Sequence, residues 1–260
     1  MNRGRRAAAL QLLAGGLSGC SLHADPAPRG LELQYDNDPC PVQAPVLLVL
    51  LPGAHMTPAE MRAQGMVRAV RERGLAVDML LPALALDHLY DGSAFDRLQH
   101  SVMQPYRARG YKRIWLAGIS MGGYVAMGYA ARHPGSVEGI VAIAPYLGQP
   151  GLLQQIASAG GPAAWRARTA ADAAGDVASD ERDDADLQLW RWITRRKPDA
   201  PALYLAHGQD DRFADAQGLL AQTIAPARVR TTAGGHDWAP WRKLWADWLD
   251  LGLMPRTCAL

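Results

Sequence analysis

From residue 45 onward, short apolar runs alternate with segments in which apolar residues recur at helical spacing. Val46–Leu51 is apolar at every position, which is typical of a strand buried on both faces of a sheet. The pattern predicts strands at Val46–Leu51, Leu75–Leu81, Arg113–Ile119, Val137–Ala144, Ala202–Ala206 and Arg228–Thr232, and helices at Pro58–Arg73, Ser93–Arg109, Met121–Arg132, Ala214–Ile224 and Trp238–Leu251.

Because helices separate these strands, we expect parallel pairing through right-handed crossovers. The predicted fold class is therefore α/β, an open, mostly parallel, doubly wound sheet, in which functional sites form at the carboxyl ends of the strands. Residues 147–200 interrupt the alternation, because they contain no clear strand and are broken at Gly160-Gly161-Pro162. They predict a small helical insertion over the sheet edge, with the acidic cluster at 180–184 as a solvated face.

The first 20 residues have the pattern of a processing signal. Arg3, Arg5 and Arg6 precede a short, mostly apolar stretch that ends in Leu17-Ser18-Gly19-Cys20. This ending resembles the lipobox of bacterial lipoproteins. The resemblance implies that residues 1–19 are a signal peptide and that Cys20 carries acyl chains such as palmitate. The protein would then be anchored in a membrane of the bacterial envelope, facing the periplasm or the exterior. A plain export signal, or a frayed terminus with a chance cysteine, is the alternative.

Prolines recur through residues 21–45, which predicts an extended tether with one short strand at Leu31–Tyr35. Residues 20–45 are thus expected to be a lipidated tether, followed by one folded domain over residues 46–260. Export would place the chain in an oxidising compartment, where a disulfide is allowed. Cys40 and Cys258 can therefore form a bridge between the two ends of the mature domain, or remain two free thiols.

Composition excludes several classes of protein. Hydrophobic residues make up 49% of the chain and charged residues 20%, which excludes a disordered chain. Loss of residues 1–19 would lower the basic residues from 27 to 24 against 25 acidic ones, so the net charge would change from +2 to −1. With no basic stripe interleaved with aromatic residues, we expect no nucleic-acid partner. Neither a histidine–cysteine cluster nor a nucleotide-binding glycine motif occurs, so no metal or cofactor is expected.

The segment Gly118-Ile119-Ser120-Met121-Gly122 matches the pattern G-x-S-x-G between a predicted strand and a predicted helix. This is the context of a nucleophile elbow, in which a serine lies on a strained, very tight turn. The flanking glycines allow strand and helix to approach each other, because they have no side chain. The alternative is a glycine-rich connection without chemistry.

With this motif the chain, from about residue 45 to its C-terminus, resembles the α/β-hydrolase family of serine hydrolases. The family order of serine, acid and histidine implies Ser120, Asp211 and His236 as the catalytic triad, with Asp210 as the alternative acid. The segment Gly234-Gly235-His236-Asp237-Trp238, followed by Trp241, looks like the histidine region of the esterase D-like branch.

The resemblance also implies an oxyanion hole built from backbone amides, those of Met121 and Ala54. In the loop that holds Ala54, this chain has Pro52-Gly53 where the family often has His-Gly. Candidate residues of the substrate pocket are His55 in the same loop, Trp238 close to His236, and the apolar residues Leu147, Leu152, Leu153 and Ile156. The tryptophans at 238, 241, 245 and 248 share one helical face and are expected to pack mainly on the sheet.

We therefore expect a serine hydrolase that cleaves carboxylic esters with short or medium acyl groups through an acyl-enzyme. Acyl transfer, or cleavage of thioesters or amides, would use the same triad. A catalytically inactive envelope lipoprotein that uses the fold as a binding module is a further alternative. The sequence makes no prediction about oligomeric state.

Overall fold

The computed structural model describes residues 30–37, 40, 43–172 and 184–258. The signal peptide, Cys20 and residues 180–183 of the acidic cluster lie outside the described residues. Among the helices of the described part, none is long and apolar enough to cross a membrane.

The described residues form a seven-stranded sheet with the strand order β1-β3-β2-β4-β5-β6-β7. All neighbouring strands pair in parallel except β1, which runs antiparallel to β3. The prediction of an open, mostly parallel α/β sheet is therefore confirmed. The strands are β1 Leu33–Asp36, β2 Val46–Leu51, β3 Val77–Pro82, β4 Arg113–Ile119, β5 Gly139–Ile143, β6 Ala202–Gly208 and β7 Val229–Thr232.

Two predicted helices differ from those in the structure. The segment Pro58–Arg73 forms two helices instead of one, because Gly65 adopts a left-handed conformation with φ of 86° between them. The segment Ser93–Arg109 contains a π turn at Gln99–Met103, shortly before Pro105, which has no N–H to donate. The helices are α1 Pro58–Ala63, α2 Met66–Glu72, α3 Asp87–Tyr90, α4 Ala94–Leu98, α5 Gln104–Ala108, α6 Met121–Arg132, α7 Pro150–Ser158, α8 Pro162–Asp172, α9 Ala185–Thr194, α10 Ala214–Ala221 and α11 Trp238–Leu249.

Helices cover both faces of the sheet. Side chains alternate along β2, so that Leu47 packs against the face covered by α6 and Leu48 against the face covered by α11. Trp241, Trp245 and Trp248 are buried in the second of these layers, as the helical spacing of the tryptophans predicts. The apolar run in β2 is thus explained by burial on two sides.

The short strand predicted at Leu31–Tyr35 is present as β1 at Leu33–Asp36, and it belongs to the sheet of the folded domain rather than to a tether. Without β1, the backbone of β3 would present an unpaired edge. Asp36 at the end of β1 accepts hydrogen bonds from Arg62 at 2.9 Å and from Arg71 at 2.6 Å. The folded domain therefore begins before residue 46.

The two ends of the domain are covalently joined. Cys40, which follows β1, forms a disulfide with Cys258, 218 residues later. The backbone N–H of Ala76 also donates to the carbonyl of Pro255 at 2.7 Å, which places the C-terminal segment beside the start of β3. Of the two alternatives that the sequence left open, the structure has the bridge.

Candidate active site

Ser120 lies in a strained turn between β4 and α6. Its φ is 52° and its ψ is −113°, a conformation that residues other than glycine rarely adopt. A Cβ atom added to Gly118 would overlap the backbone of Gly122, and one added to Gly122 would overlap the backbone of Leu51. Both glycines are therefore required for the close approach of β4, α6 and β2 that forms this turn.

The three predicted triad residues form one hydrogen-bonded chain. Ser120 Oγ lies 3.0 Å from Nε2 of His236, and Nδ1 of the same imidazole lies 2.8 Å from Oδ2 of Asp211. The three side chains come from the loops after β4, β6 and β7. Because these strands are parallel, their carboxyl ends meet at one edge of the sheet, which brings together residues up to 116 positions apart.

Asp211, rather than Asp210, is the acid that contacts the histidine. The Asp211 side chain has no exposed surface, whereas Asp210 is exposed. Burial alone would raise the pKa of Asp211, but hydrogen bonds from His236 and from the backbone N–H of Phe213 outweigh it, so the pKa lies below its ordinary value. The carboxylate is therefore held ionised behind the imidazole.

The loop that carries His236 is fixed to the loop that carries Asp211. The N–H of Gln209 donates to the carbonyl of Thr232 at 2.8 Å, and the N–H of Asp210 donates to that of Gly234 at 3.0 Å. The imidazole ring also lies between the aromatic rings of Phe213 and Trp241, with centroid distances of 5.1 Å and 5.0 Å. These contacts hold the ring in the orientation that reaches both neighbours.

Ala54 and Met121 line the same cavity as Ser120. Among the described residues, neither of their backbone amides donates a hydrogen bond. The loop after β2 comes close to the serine, since a Cβ added to Gly53 would lie 3.6 Å from Cβ of Ser120. The two amides are therefore the candidate oxyanion donors beside Ser120, as the resemblance predicts them.

A cavity of about 490 Å³ opens beside Ser120. Its size suits a small-molecule substrate. Three residues of its lining, Ala54, Ser120 and Met121, were predicted from the sequence, and the others were not. Those are Leu86, Leu89 and Tyr90, on or just before α3, together with Tyr124, Tyr146, Gln149, Asp184, Ala185, Asp186, Arg212 and Phe213.

The predicted apolar pocket wall at Leu147, Leu152, Leu153 and Ile156 is wrong. Leu147 is 1% exposed and packs in the core, and Ile156 is fully buried there. Leu152 and Leu153 on α7 pack against the same core. These side chains point towards the layer between the helices and the sheet, where more apolar surface can be buried than in the open cavity.

His55 and Trp238 also do not line the cavity. His55 is exposed, has a φ of 60° and is not one of the residues that line the cavity. The indole N–H of Trp238 donates to Oε1 of Glu60 at 2.9 Å, and the ring packs on the layer that contains Trp241. Trp238 therefore lies near His236 in sequence but faces α1.

Part of the missed lining could have been inferred from position. Tyr124 follows Ser120 by one turn of α6, and Phe213 follows the acid by two residues. Asp184 and Asp186 are further members of the lining. Asp184 is exposed, as predicted for the acidic cluster, and its side chain accepts hydrogen bonds from the N–H groups of Asp186 and Leu187, which caps α9.

Asp186 fixes the insertion to the wall of the cavity. Its carboxylate accepts hydrogen bonds from the hydroxyl of Tyr124 and from the N–H of Gln149, each at 2.8 Å. Burial, together with the neighbouring carboxylate of Asp186, raises the pKa of the Tyr124 hydroxyl, so Tyr124 stays protonated and acts as a donor. The helical insertion is thereby attached to α6, the helix that follows the nucleophile.

A further polar side chain behind the triad, that of Gln217, was not predicted from the sequence. Gln217 on α10 is fully buried, and its Nε2 donates to the carbonyl of Pro145 at 3.4 Å. A hydrogen bond from its side chain also helps to lower the pKa of Asp211. Gln217 therefore connects the loop after β5 with the acid.

Within the described ranges, no group of three or more histidine, cysteine, aspartate or glutamate side chains could hold a metal ion.

Comparison with known proteins gives one family and several related folds. The sequence model of the Esterase family matches residues 87–249, which is more than half of the chain. No curated protein matches the sequence. Similar solved structures include an S-formylglutathione hydrolase from Staphylococcus aureus, with a TM-score of 0.61 and 16% identity over 85% of this chain and 92% of the other.

A ferulic acid esterase has a TM-score of 0.58 and 18% identity over 85% of this chain and 97% of its own. The fluorophosphonate-binding serine hydrolase F of Staphylococcus aureus has a TM-score of 0.58 and 15% identity over 85% of this chain and 98% of its own. At these identities the structural neighbours establish the α/β-hydrolase fold.

Proposed function

The chain belongs to the Esterase family, and we propose that it hydrolyses carboxylic esters through an acyl-enzyme formed on Ser120. The observation that carries this mechanism is the unbroken chain of hydrogen bonds from Ser120 through His236 to the buried Asp211. A binding module would need none of the three residues in this arrangement.

In the first half of the reaction, Ser120 Oγ attacks the ester carbonyl while Nε2 of His236 accepts its proton. Asp211 keeps the imidazole in the tautomer that presents a free Nε2 and stabilises the imidazolium that forms. The amides of Ala54 and Met121 donate to the oxyanion. His236 then returns the proton to the leaving alcohol, and the acyl group remains bonded to Ser120.

In the second half, water takes the place of the alcohol. His236 accepts a proton from the water, which attacks the acyl carbonyl, and Ser120 leaves with the proton returned by the imidazolium. Rapid quenching of the protein during turnover of a p-nitrophenyl ester tests this route. We expect the mass of the acyl group on the peptide that contains Ser120, and an acyl group on any other residue would contradict the proposal.

For the substrate, we propose an ester whose acyl part contains an aromatic ring. The cavity beside Ser120 is bordered by the rings of Tyr124, Tyr146 and Phe213, which contact one another at centroid distances of 5.6 Å and 5.7 Å. Such a wall favours a planar ring over a flexible chain, because aromatic pairs gain energy beyond their area. One structural neighbour is a ferulic acid esterase, which is named for such a compound.

Replacing Tyr146 with alanine is expected to lower kcat/KM for a p-nitrophenyl phenylpropanoate by about tenfold, which corresponds to about 1.4 kcal/mol of lost aromatic contact. The acetate ester of the same alcohol should be affected little, because it does not reach this ring. Steady-state kinetics on both esters measures the difference.

Tyr146→Phe is the matched control, since it keeps the ring and removes only the hydroxyl. It should retain the preference for the aromatic ester. Equal losses on the two esters in Tyr146→Ala would show that the substitution displaces the backbone at residue 146, whose N–H donates to the carbonyl of Ser120. That result would overturn the assignment of this wall to the acyl group.

We also propose that the mature chain is a lipoprotein anchored through Cys20. The support is the sequence Leu17-Ser18-Gly19-Cys20 after an arginine-containing start. Two or more acyl chains give stable anchoring, whereas one chain gives only marginal binding. The substrate would then be reached in the cell envelope.

Cys20→Ala is expected to move the protein from the membrane fraction to the soluble fraction after a high-salt wash. Immunoblotting of the membrane and soluble fractions measures this redistribution, with the wild-type protein as the reference. If the unchanged protein also washes off, or if its mature N-terminus is not residue 20, the anchor is ruled out.

A further inference from the structure

A second cavity, of about 500 Å³, lies away from the triad. It is enclosed by α8 and by the C-terminal ends of α9 and α10. Arg196 in its wall donates to the carbonyl of Pro201, directly before β6 begins, so the cavity is near the amino ends of the strands. Ser120 lies at their carboxyl ends, and the two cavities are therefore separate.

Two guanidinium groups line this second cavity, and its lining contains no acidic residue. Arg166 donates to the carbonyl of Thr194 at 3.0 Å, and Arg196 donates through one terminal nitrogen to that of Pro201 at 2.7 Å. Among the described residues, neither forms an ion pair with a carboxylate. Both side chains thus keep positive charge and hydrogen-bond donors that no group of the described ranges satisfies.

Arg196 is the more constrained of the two. Its Nε is buried and has no hydrogen-bond partner within the part of the chain that the structure describes. Burial, and then the positive charge of Arg228, lower the pKa of its guanidinium. An unsatisfied buried donor on a charged group is costly, and a bound anion would offset part of that cost by neutralising the guanidinium charge.

Further positive charge surrounds the same side chain. A smaller cavity of about 310 Å³ shares Arg196 and is also lined by Arg191, Arg195 and Lys197, against the single acid Asp199. The local field therefore attracts anions from both sides of Arg196.

We propose that this cavity, the Arg166–Arg196 site, binds the phosphoryl group of an organic phosphate. Guanidinium groups present paired donors that match the oxygens of a phosphoryl group. A phosphoryl group has enough oxygens to accept from both arginines, whereas a ligand with one carboxylate has only two. The remaining volume is bordered by Ile193 and Ala167, so the rest of the ligand contacts apolar surface. The ligand is either a soluble phosphomonoester or the headgroup of a lipid.

Isothermal titration of the purified full chain with phenyl phosphate, at fixed ionic strength, tests the soluble form of the ligand. Sedimentation with vesicles of phosphatidic acid, compared with vesicles of phosphatidylcholine, tests the lipid form. We expect saturable binding in one arm, and at least a tenfold loss of affinity in Arg196→Gln and in Arg166→Gln. The Ser120→Ala variant should bind the phosphate ligand with the affinity of the wild-type protein, because the triad lies at the other end of the strands.

Arg168→Gln is the matched control, because Arg168 is an exposed arginine of the same helix that does not line the cavity. It makes the same change in charge and should leave binding intact. If Arg196→Gln does not fold, the exposed Arg166→Gln decides the outcome. Absence of saturable binding in both arms, or an equal loss in Arg168→Gln, would overturn the proposal.

Discussion

Replacing Ser120 with alanine is expected to lower the turnover of a p-nitrophenyl ester by at least about four orders of magnitude. The reason is that Oγ of Ser120 forms the bond to the acyl group and is the atom that His236 reaches at 3.0 Å. His236→Ala should have an effect of similar size, since the hydroxyl then has no base. Initial rates measured with a sensitive fluorogenic ester give both numbers.

The two substitutions are expected not to add. Because the triad acts as a unit, the double variant Ser120→Ala/His236→Ala should lose little more than either single variant. Circular dichroism and a thermal melt must show that each variant is folded. A Ser120→Ala protein that hydrolyses the ester at close to the normal rate would contradict the assignment of the nucleophile.

The two adjacent carboxylates provide the matched control for the acid. Asp211→Asn should cost somewhat less than loss of the serine, through the wrong imidazole tautomer, while Asp210→Asn should have a mild effect because that side chain is exposed. Since the pKa of Asp211 lies below its ordinary value, the Asp211 carboxylate should stay ionised on mild acidification and continue to orient the imidazole. If Asp210→Asn lost activity and Asp211→Asn did not, the catalytic acid would be Asp210 and the present assignment would be wrong.

Removing the disulfide is expected to lower the free energy of unfolding by about 4–5 kcal/mol in the chain-entropy description, because the bridge closes a very long loop. The loop spans 218 residues between Cys40 and Cys258. Denaturant unfolding of the double variant Cys40→Ser/Cys258→Ser, beside the oxidised protein, measures the difference. Ester hydrolysis by the folded variant should change little, because the bridge lies near the amino end of β3.

Chemical reduction of the disulfide in the wild-type protein is the control for the substitutions Cys40→Ser and Cys258→Ser. It should lower stability by about as much as the double variant, and the double variant itself should not respond to the reductant. A variant as stable as the oxidised protein would contradict the expectation, as would mass mapping that found both thiols free in protein purified from the envelope.

The local chemistry of the nucleophile was largely determined by the sequence. An apolar run of six residues such as Val46–Leu51 predicts a doubly buried strand, because a fully buried helix would continue the apolar run over more residues. The turn at Ser120 was recognisable because the close packing of β4, α6 and β2 requires glycine at 118 and 122. The order of serine, acid and histidine along the chain then restricted the partners of Ser120 to a few positions.

Contacts between distant segments were decided only by the tertiary structure. The choice of Asp211 over Asp210, the pairing of Cys40 with Cys258, and the place of β1 in the sheet each depend on which groups face each other in space. The cavity wall of Tyr146 and Phe213 comes from separate loops, while the apolar residues predicted for it turned into the core. Periodicity reports whether a residue is buried, but the direction in which its side chain points depends on the packing of elements that are far apart in the chain.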